Sequence, residues 1–297
     1  MKNKKITDYG AVFETIVEKT AKYLVDNNIK AQILGISGGI DSTVVAAICH
    51  EVSKRTNIPL IGRSLPTTFN KKEETTSADL VGNAFCDDYK EVPISKLCWT
   101  FSEVLIGYER FAQTNLANGN IQARLRMIYL YNLASIHGGL VMDTDNLTEN
   151  NLGYFTIHGD VGDFNPIGGL WKTEVFELAE WIMNWYGSYT HTYFYTDAPE
   201  IIDYKQGNLA KAVAIKESLK LKPTAGLGIT NNDLEEIGAE SYDQVDRILQ
   251  CLTDNSISTN TIDDIPDAIL EAVVKRHNAS KFKRKQLPIK ITRGEIG

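Results

Sequence analysis

What this chain lacks narrows the field. It has no run of about eighteen apolar residues, the length a membrane-crossing helix needs, and no signal-peptide pattern follows Met1-Lys2-Asn3-Lys4-Lys5. A soluble cytoplasmic protein without a membrane partner is expected. The four cysteines, Cys49, Cys86, Cys98 and Cys251, show no CxxC spacing and no paired histidine. That pattern suggests neither a zinc knuckle nor a redox couple, and reads as reduced packing residues. His50, His137, His158, His191 and His277 form no metal-like grouping and are read as structural. There is no excess of basic charge: 31 Lys and Arg against 38 Asp and Glu leave a net charge of −7. Phosphate neutralisation along a nucleic acid needs a basic face, so general nucleic-acid binding is disfavoured while small anionic ligands stay open. Internal repeats and low-complexity tracts are absent as well.

What is present is ordinary for a globular enzyme: 297 residues, 43% hydrophobic and 23% charged. Apolar residues at helical spacing predict a first helix over residues 8 to 27. AQILGI reads as a buried strand, and DSTVVAAICHEVSKRT has the cap, apolar run and basic end of a helix. The pattern repeats, with NIPLIGRSL strand-like, KKEETTSADLVGNAF helical, YKEVPI strand-like and SKLCWTFSEVLIGYERF helical. IQARLRMIYLYNLASIHG predicts a long helix with Met127, Leu130, Tyr131 and Ala134 on one side, and GGLVMDTDN a strand entering a polar loop. GYFTIHGDVGDFNPIGGLWKT, rich in Gly and Asp, reads as a functional loop, followed by a helix over KTEVFELAEWIMNWYG. Residues 187 to 226 read as irregular and mobile. Such alternation predicts an α/β fold, a parallel sheet with helices on both faces, in a single domain over 1–297. Against the acidic balance, residues 275 to 294 carry eight Lys or Arg and no acid. From charge pattern alone this basic C-terminal segment, about 275–297, reads as a solvated tail.

LGISGGIDST, residues 34 to 43, delivers a glycine turn from the first strand into a helix. Unpaired backbone N–H groups and the positive end of a helix dipole meet there, so an anion belongs there. Gly38 and Gly39 let the main chain curl around phosphate oxygens, Ser37 and Ser42 add hydroxyls, and Asp41 can hold an accompanying magnesium ion. The bland alternative is a plain tight turn. The loop lacks the Gly-Lys-Ser/Thr ending of a Walker A motif and does not match GxGxxG.

Ser37-Gly38-Gly39-Ile40-Asp41-Ser42 resembles the SGGxDS signature of the N-type ATP pyrophosphatases. Gly119-Asn120 through Arg124-Leu125-Arg126-Met127 resembles the GNxxARxRM helix of ammonia-dependent NAD synthetases, and Thr144-Asp145-Asn146, Glu149 and Gly153-Tyr154-Phe155-Thr156 resemble their GTDNxxExxxGYFT segment. Gly159-Asp160, Asn165-Pro166, Leu170 and Lys172 continue the pattern in order, and Pro223-Thr224-Ala225 is similar to the family's PTA turn. The resemblance implies an adenine nucleotide alpha hydrolase-like, Rossmann-like three-layer fold. It also implies ATP-dependent amidation of deamido-NAD with ammonia, through an adenylated carboxylate that releases pyrophosphate and AMP. Residues 37 to 42 would then cradle the pyrophosphate end of ATP, Asp41 and Glu149 would hold magnesium, and Thr144, Thr224 and Lys172 would contact ATP. Arg124 would contact deamido-NAD. Asp163, with Asp160 as second candidate, would take a proton from ammonium, and Lys283 and Arg284 would make a phosphate or dimer contact. A homodimer is implied, and with no second, cysteine-bearing domain free ammonia is the expected nitrogen source.

The chain departs from the family pattern at several places. Ile157 and His158 follow GYFT where a lysine is usual, and the loop before Asn165 is one residue short. Arg63 stands one position earlier than in the family's RxP, which on a strand reverses its face. Gly226 replaces an acid, and Asp143 stands where glycine is common. Two rivals follow: an amide-forming ligase that adenylates a different carboxylate, and an ATP-binding sensor without turnover. Each of the named carboxylates and cations also has a plain reading as a surface charge, an ion-pair partner or a structural turn residue.

Overall fold

The computed structural model describes residues 5–109, 114–191, 199–223, 233–254, 257, 259–286, 289–290 and 292–296. Its centre is a sheet of six strands, β1 (Gln32–Gly35), β2 (Leu60–Ser64), β3 (Asp88–Glu91), β4 (Leu140–Met142), β5 (Phe164–Asn165) and β6 (Ile289–Lys290). Every pairing is parallel and the order is β3-β2-β1-β4-β5-β6. Period-two alternation sends neighbouring residues to opposite layers. Leu34, Leu60 and Met142 enter one apolar cluster, while Ile33, Ile61 and Val141 enter another. Strands buried on both faces read as short continuous apolar runs, which is why AQILGI was legible as one.

On the first face lie α1 (Tyr9–Asp26), α2 (Ile40–Thr56) and α3 (Lys72–Phe85), and on the second α4 (Ser95–Glu109) and α5 (Asn115–His137). α1 starts where the Asp8 carboxylate accepts from the Ala11 N–H, and α5 starts where the Thr114 hydroxyl accepts from Ala117. A short α6 (Leu147–Leu152) follows β4, and α7 (Lys172–His191) and α8 (Pro199–Leu219) complete the first face. α9 (Asp233–Ile237), α10 (Tyr242–Thr253) and α11 (Asp267–Ala279) bury a third cluster with Leu152 and Trp171. The last helix is α12 (Arg293–Ile296).

Three expectations are corrected here. The segment expected to be irregular between 187 and 226 is largely the end of α7 and the whole of α8. Among its described side chains α8 buries Asn208, Ala212, Ala214, Ile215 and Ser218, mostly small or polar, which weakens the hydrophobic signal. Tyr131 is exposed, unlike Met127, Leu130 and Ala134 beside it on α5. The basic C-terminal segment is built into the fold rather than left as a tail. It forms the end of α11, a 3-10 turn at Lys283–Gln286, β6 and α12, and the buried Arg293 is hydrogen-bonded to the buried Glu174 of α7.

The chain runs outward from β1 through β2 to β3, then returns to the other side of β1 as β4. Loops leaving the carboxyl ends of β1 and β4 therefore diverge and open a crevice between them, where ligands settle in open α/β sheets. Truncating Arg293 to alanine leaves the Glu174 carboxylate buried without its cation, and a loss of about 3–5 kcal/mol is expected in urea denaturation.

Candidate active site

The crevice is lined by the β1 and β4 loops, one end of β2, the inner face of α5 and the turn after α8. At its base Gly38 has φ +84, and a Cβ there would meet the Glu74 carbonyl oxygen at 2.2 Å. Glycine is required on both counts. Gly39 is the N-cap of α2 and offers no side chain to the first turn, so a ligand can meet those N–H groups. The loop is braced from within: the Ser37 and Ser42 hydroxyls lie 2.9 Å apart, Ser42 donates to the Gly39 carbonyl at 3.0 Å, and the Gly39 N–H donates to the Ser37 hydroxyl at 3.2 Å.

Asp41 in the first turn of α2 and Glu149 in the first turn of α6 converge on one cation. Lys172 Nζ donates to Asp41 Oδ2 at 2.5 Å and to Glu149 Oε1 at 3.1 Å, and lies 5.6 Å from the centre of the Tyr242 ring. Lys172 is 1% exposed. Burial alone would push its ammonium down, but Asp41 and then Glu149 beside it more than reverse this, and the net lies well above the usual lysine value. Asn146 fixes both carboxylates: its Nδ2 donates to Asp41 Oδ1 at 2.9 Å and its N–H to Glu149 Oε2 at 3.2 Å, the latter within a capping box. Behind them the buried Asp246 of α10 accepts from the Thr148 hydroxyl and, at 3.0 Å, from the Thr173 N–H. Two oxygen donors aimed at one point are the set a small hard dication takes when phosphate oxygens and water complete its shell. Among the described residues no group of three His, Cys, Asp or Glu could hold an ion by itself.

Of the two aspartates expected to handle ammonia, Asp160 lines the cleft and Asp163 does not. Asp163 accepts from the Val141 N–H at 3.0 Å and the Tyr131 hydroxyl at 3.1 Å, at the outer side of β4. Asp160 accepts from the Thr156 N–H at 2.5 Å. Burial pushes its carboxyl up to about 7, with the Asp143 charge adding to the rise against that hydrogen bond. Thr144 lines the cleft, and Thr224 lies outside the described residues. Arg124 is exposed, and among the described residues it reaches the Ile157 carbonyl at 3.4 Å. Lys283 and Arg284 spend donors at the end of α6, Lys283 on the carbonyl of its C-cap Gly153 at 2.7 Å and Arg284 on the carbonyls of Asn151 in α6 and His277 in α11, each at 2.8 Å. Arg63 is turned onto β3, where it pairs with Asp88 at 2.7 Å.

Sequence reasoning passed over Arg126. It lines the cleft and donates to the Leu65 carbonyl at 3.0 Å, and burial pulls its guanidinium below the usual arginine value. The signal was there: Ala123, Arg126, Met127 and Leu130 follow i, i+3, i+4, i+7 spacing and share one face of α5, whereas Arg124 sits on the other. Asp145 was also passed over as a charged group. It is buried, its Oδ2 has no hydrogen-bond partner, and burial followed by the charges of Asp143 and Asp160 holds it well above the usual carboxylate value. Only the fold brings these carboxylates together.

A sequence model of the family described as NAD synthase matches residues 12–287. An NH(3)-dependent NAD(+) synthetase of Thermoplasma acidophilum is 33% identical over 279 residues, covering 93% of this chain and 96% of its own. Another, of Thermoplasma volcanium, is 31% identical with 94% and 96% covered. Among solved structures, an NMN synthetase from Francisella tularensis superimposes with a TM-score of 0.72 at 25% identity, covering 94% of this chain and 97% of its own.

The Asp160 carboxyl makes folding pH-dependent in a defined direction. Its unfolded value is about 4 and its folded value about 7, so ionisation disfavours the folded state progressively across that window. Asp160→Asn is expected to melt above the wild type at pH 8, with the difference closing toward pH 4, in paired thermal scans.

Proposed function

The chain belongs to the NAD synthase family, and on that footing we propose that it is a ligase that amidates deamido-NAD (nicotinic acid adenine dinucleotide) to NAD with ammonia and ATP. The observation that carries this is the meeting of the Ser37–Ser42 turn, Asp41, Glu149 and Lys172 at the carboxyl ends of β1 and β4. The nicotinate carboxylate is a poor electrophile. Attack of its oxygen on the α-phosphorus of ATP forms a mixed anhydride and releases pyrophosphate; ammonia then attacks the acyl carbon and AMP leaves.

In this reading the first turn of α2 and residues Ser37 to Ser42 grip the departing diphosphate, and Thr144 and Thr224 contact the nucleotide. Lys172, preorganised between two carboxylates, sets a compact positive charge against phosphate oxygens. Asp41 and Glu149 would hold magnesium, which supplies charge neutralisation at the phosphates when bound. Arg126 adds a fixed cation on the α5 wall. Asp160, half-buried and lining the cleft, takes the proton that ammonium must lose before its nitrogen has a lone pair. Lys283 and Arg284 act through the loop they fasten.

A homodimer is part of the proposal. α4 and α5 leave Leu97, Trp99, Val104, Leu116 and Ile128 exposed, a set that supports burial against a second copy. Arg124 shares the Ile128 face of α5, so its contact with the acceptor would be made across that interface. The expected compartment is the cytoplasm.

A second reading concerns the acceptor alone. The likeness to an NMN synthetase, together with Ile157 in place of the family's lysine, favours testing a mononucleotide acid beside the dinucleotide. With ATP, magnesium and ammonium, the dinucleotide acid is expected to yield NAD, AMP and pyrophosphate in equal amounts; preferential turnover of the mononucleotide acid would move the substrate to the second reading. Asp41→Asn and Lys172→Met should each lower kcat by about 10²–10³, measured by pyrophosphate release.

A further inference from the structure

Asp143 directly follows β4, and the loop before Asn165 that packs against it is one residue shorter than the family pattern. Asp143 is 1% exposed. Its Oδ1 accepts from the Asp145 N–H at 2.7 Å and from Asn165 Nδ2 at 3.0 Å, and its Oδ2 accepts from the Gly162 N–H at 2.8 Å. Three N–H donors are the partners an ionised carboxylate takes, since it can only accept. The loop backbone lies directly on β4 here: a Cβ on Gly162 would meet the Val141 carbonyl oxygen at 2.7 Å. Asp160 sits between this clamp and a second anchor, the Thr156 N–H. It also lines the cleft.

Resting on the amidation reading, we propose that Asp143 is a positioning residue of the ammonia step: its carboxylate pins the Gly159–Asn165 loop so that Asp160 faces the cleft, and its charge favours proton transfer from ammonium to Asp160. The transfer is balanced, NH4+ and the Asp160 carboxylate giving NH3 and a neutral carboxyl, with no other bond changed. Like charge at close range disfavours a second ionised carboxyl, so the proton is better held on Asp160 while Asp143 stays charged. The other charged groups that bear on Asp160 are Asp145 after β4, which opposes its ionisation, and Lys283 and Arg126, which favour it.

The test is carboxyl-labelled aspartate NMR on the full chain, with the Asp160 resonance assigned by its loss in Asp160→Asn. In Asp143→Asn and Asp143→Gly the Asp160 midpoint is expected to fall by about one pH unit, and the acid limb of the amidation rate profile to move down with it. An unmoved midpoint in a cooperatively folding variant overturns the proposal. Should neither variant fold, the wild type still decides: an Asp160 midpoint near 7 with the Asp143 resonance ionised throughout that range supports the proposal, and an Asp160 midpoint near the ordinary value of about 4, or an Asp143 carboxyl that is neutral there, overturns it. The titration needs no substrate, so a shifted midpoint without amide formation by the wild type counts against the amidation reading and not against the coupling.

Discussion

A single buried ammonium organises the catalytic end of this molecule. Lys172 begins α7, Asp41 begins α2 and Glu149 lies in the first turn of α6, yet all three meet at one point. Burying a lysine charge without partners costs far more than a domain's net stability can absorb. The pairing is therefore a constraint on the fold as much as a feature of the site, since β1, β4 and the approach to α7 must end at the same level for it to close. The two carboxylates sit where helix dipoles favour them, at N-termini; Lys172 sits where a dipole opposes it. Asp246 at the Thr173 N–H and Glu174 at the Trp171 N–H place negative charge on that same end of α7, which offsets the opposition.

This arrangement separates two electrical environments along one cleft. Near the glycine turn, N–H groups and Lys172 present positive charge to an anion. Toward β5, Asp143, Asp145 and Asp160 crowd negative charge under cover, and burial with mutual repulsion makes Asp145 and Asp160 reluctant to ionise. On the proposed reading a phosphate would sit at one end and a protonated amine at the other. That division matches a reaction in which a phosphoryl oxygen must be stabilised and an ammonium must be relieved of its proton.

The elements of the fold were legible where burial and period agreed. β1, α2, β2 and α3 carry apolar residues at their proper spacing, and the glycine turn announces itself because nothing but glycine satisfies φ +84 against the Glu74 carbonyl. α8 was missed because the residues it buries among those described, Asn208, Ala212, Ala214, Ile215 and Ser218, are mostly small or polar and pack between helices without looking hydrophobic. The C-terminal basic run read as a tail because side-chain charge says nothing about backbone pairing, and Lys283 and Arg284 are used on backbone carbonyls at the end of α6. Motif matching singled out Arg124, while three-dimensional periodicity singles out Arg126.

By itself the sequence determined the local chemistry: the glycine turn into α2, the helices that start at capped positions, the parallel α/β layering and the identity of the groups able to act. It also carried the family, through an ordered series of short segments spread along the chain. Only the tertiary structure decided which of several aspartates faces the cleft. Asp160 and Asp163 are three residues apart in one loop, and their opposite directions follow from hydrogen bonds of Asp160 to Thr156 within that loop and of Asp163 to Val141 in β4 and Tyr131 in α5. Charge proximity is likewise a property of the fold, because Coulomb coupling depends on distance through space and not along the chain.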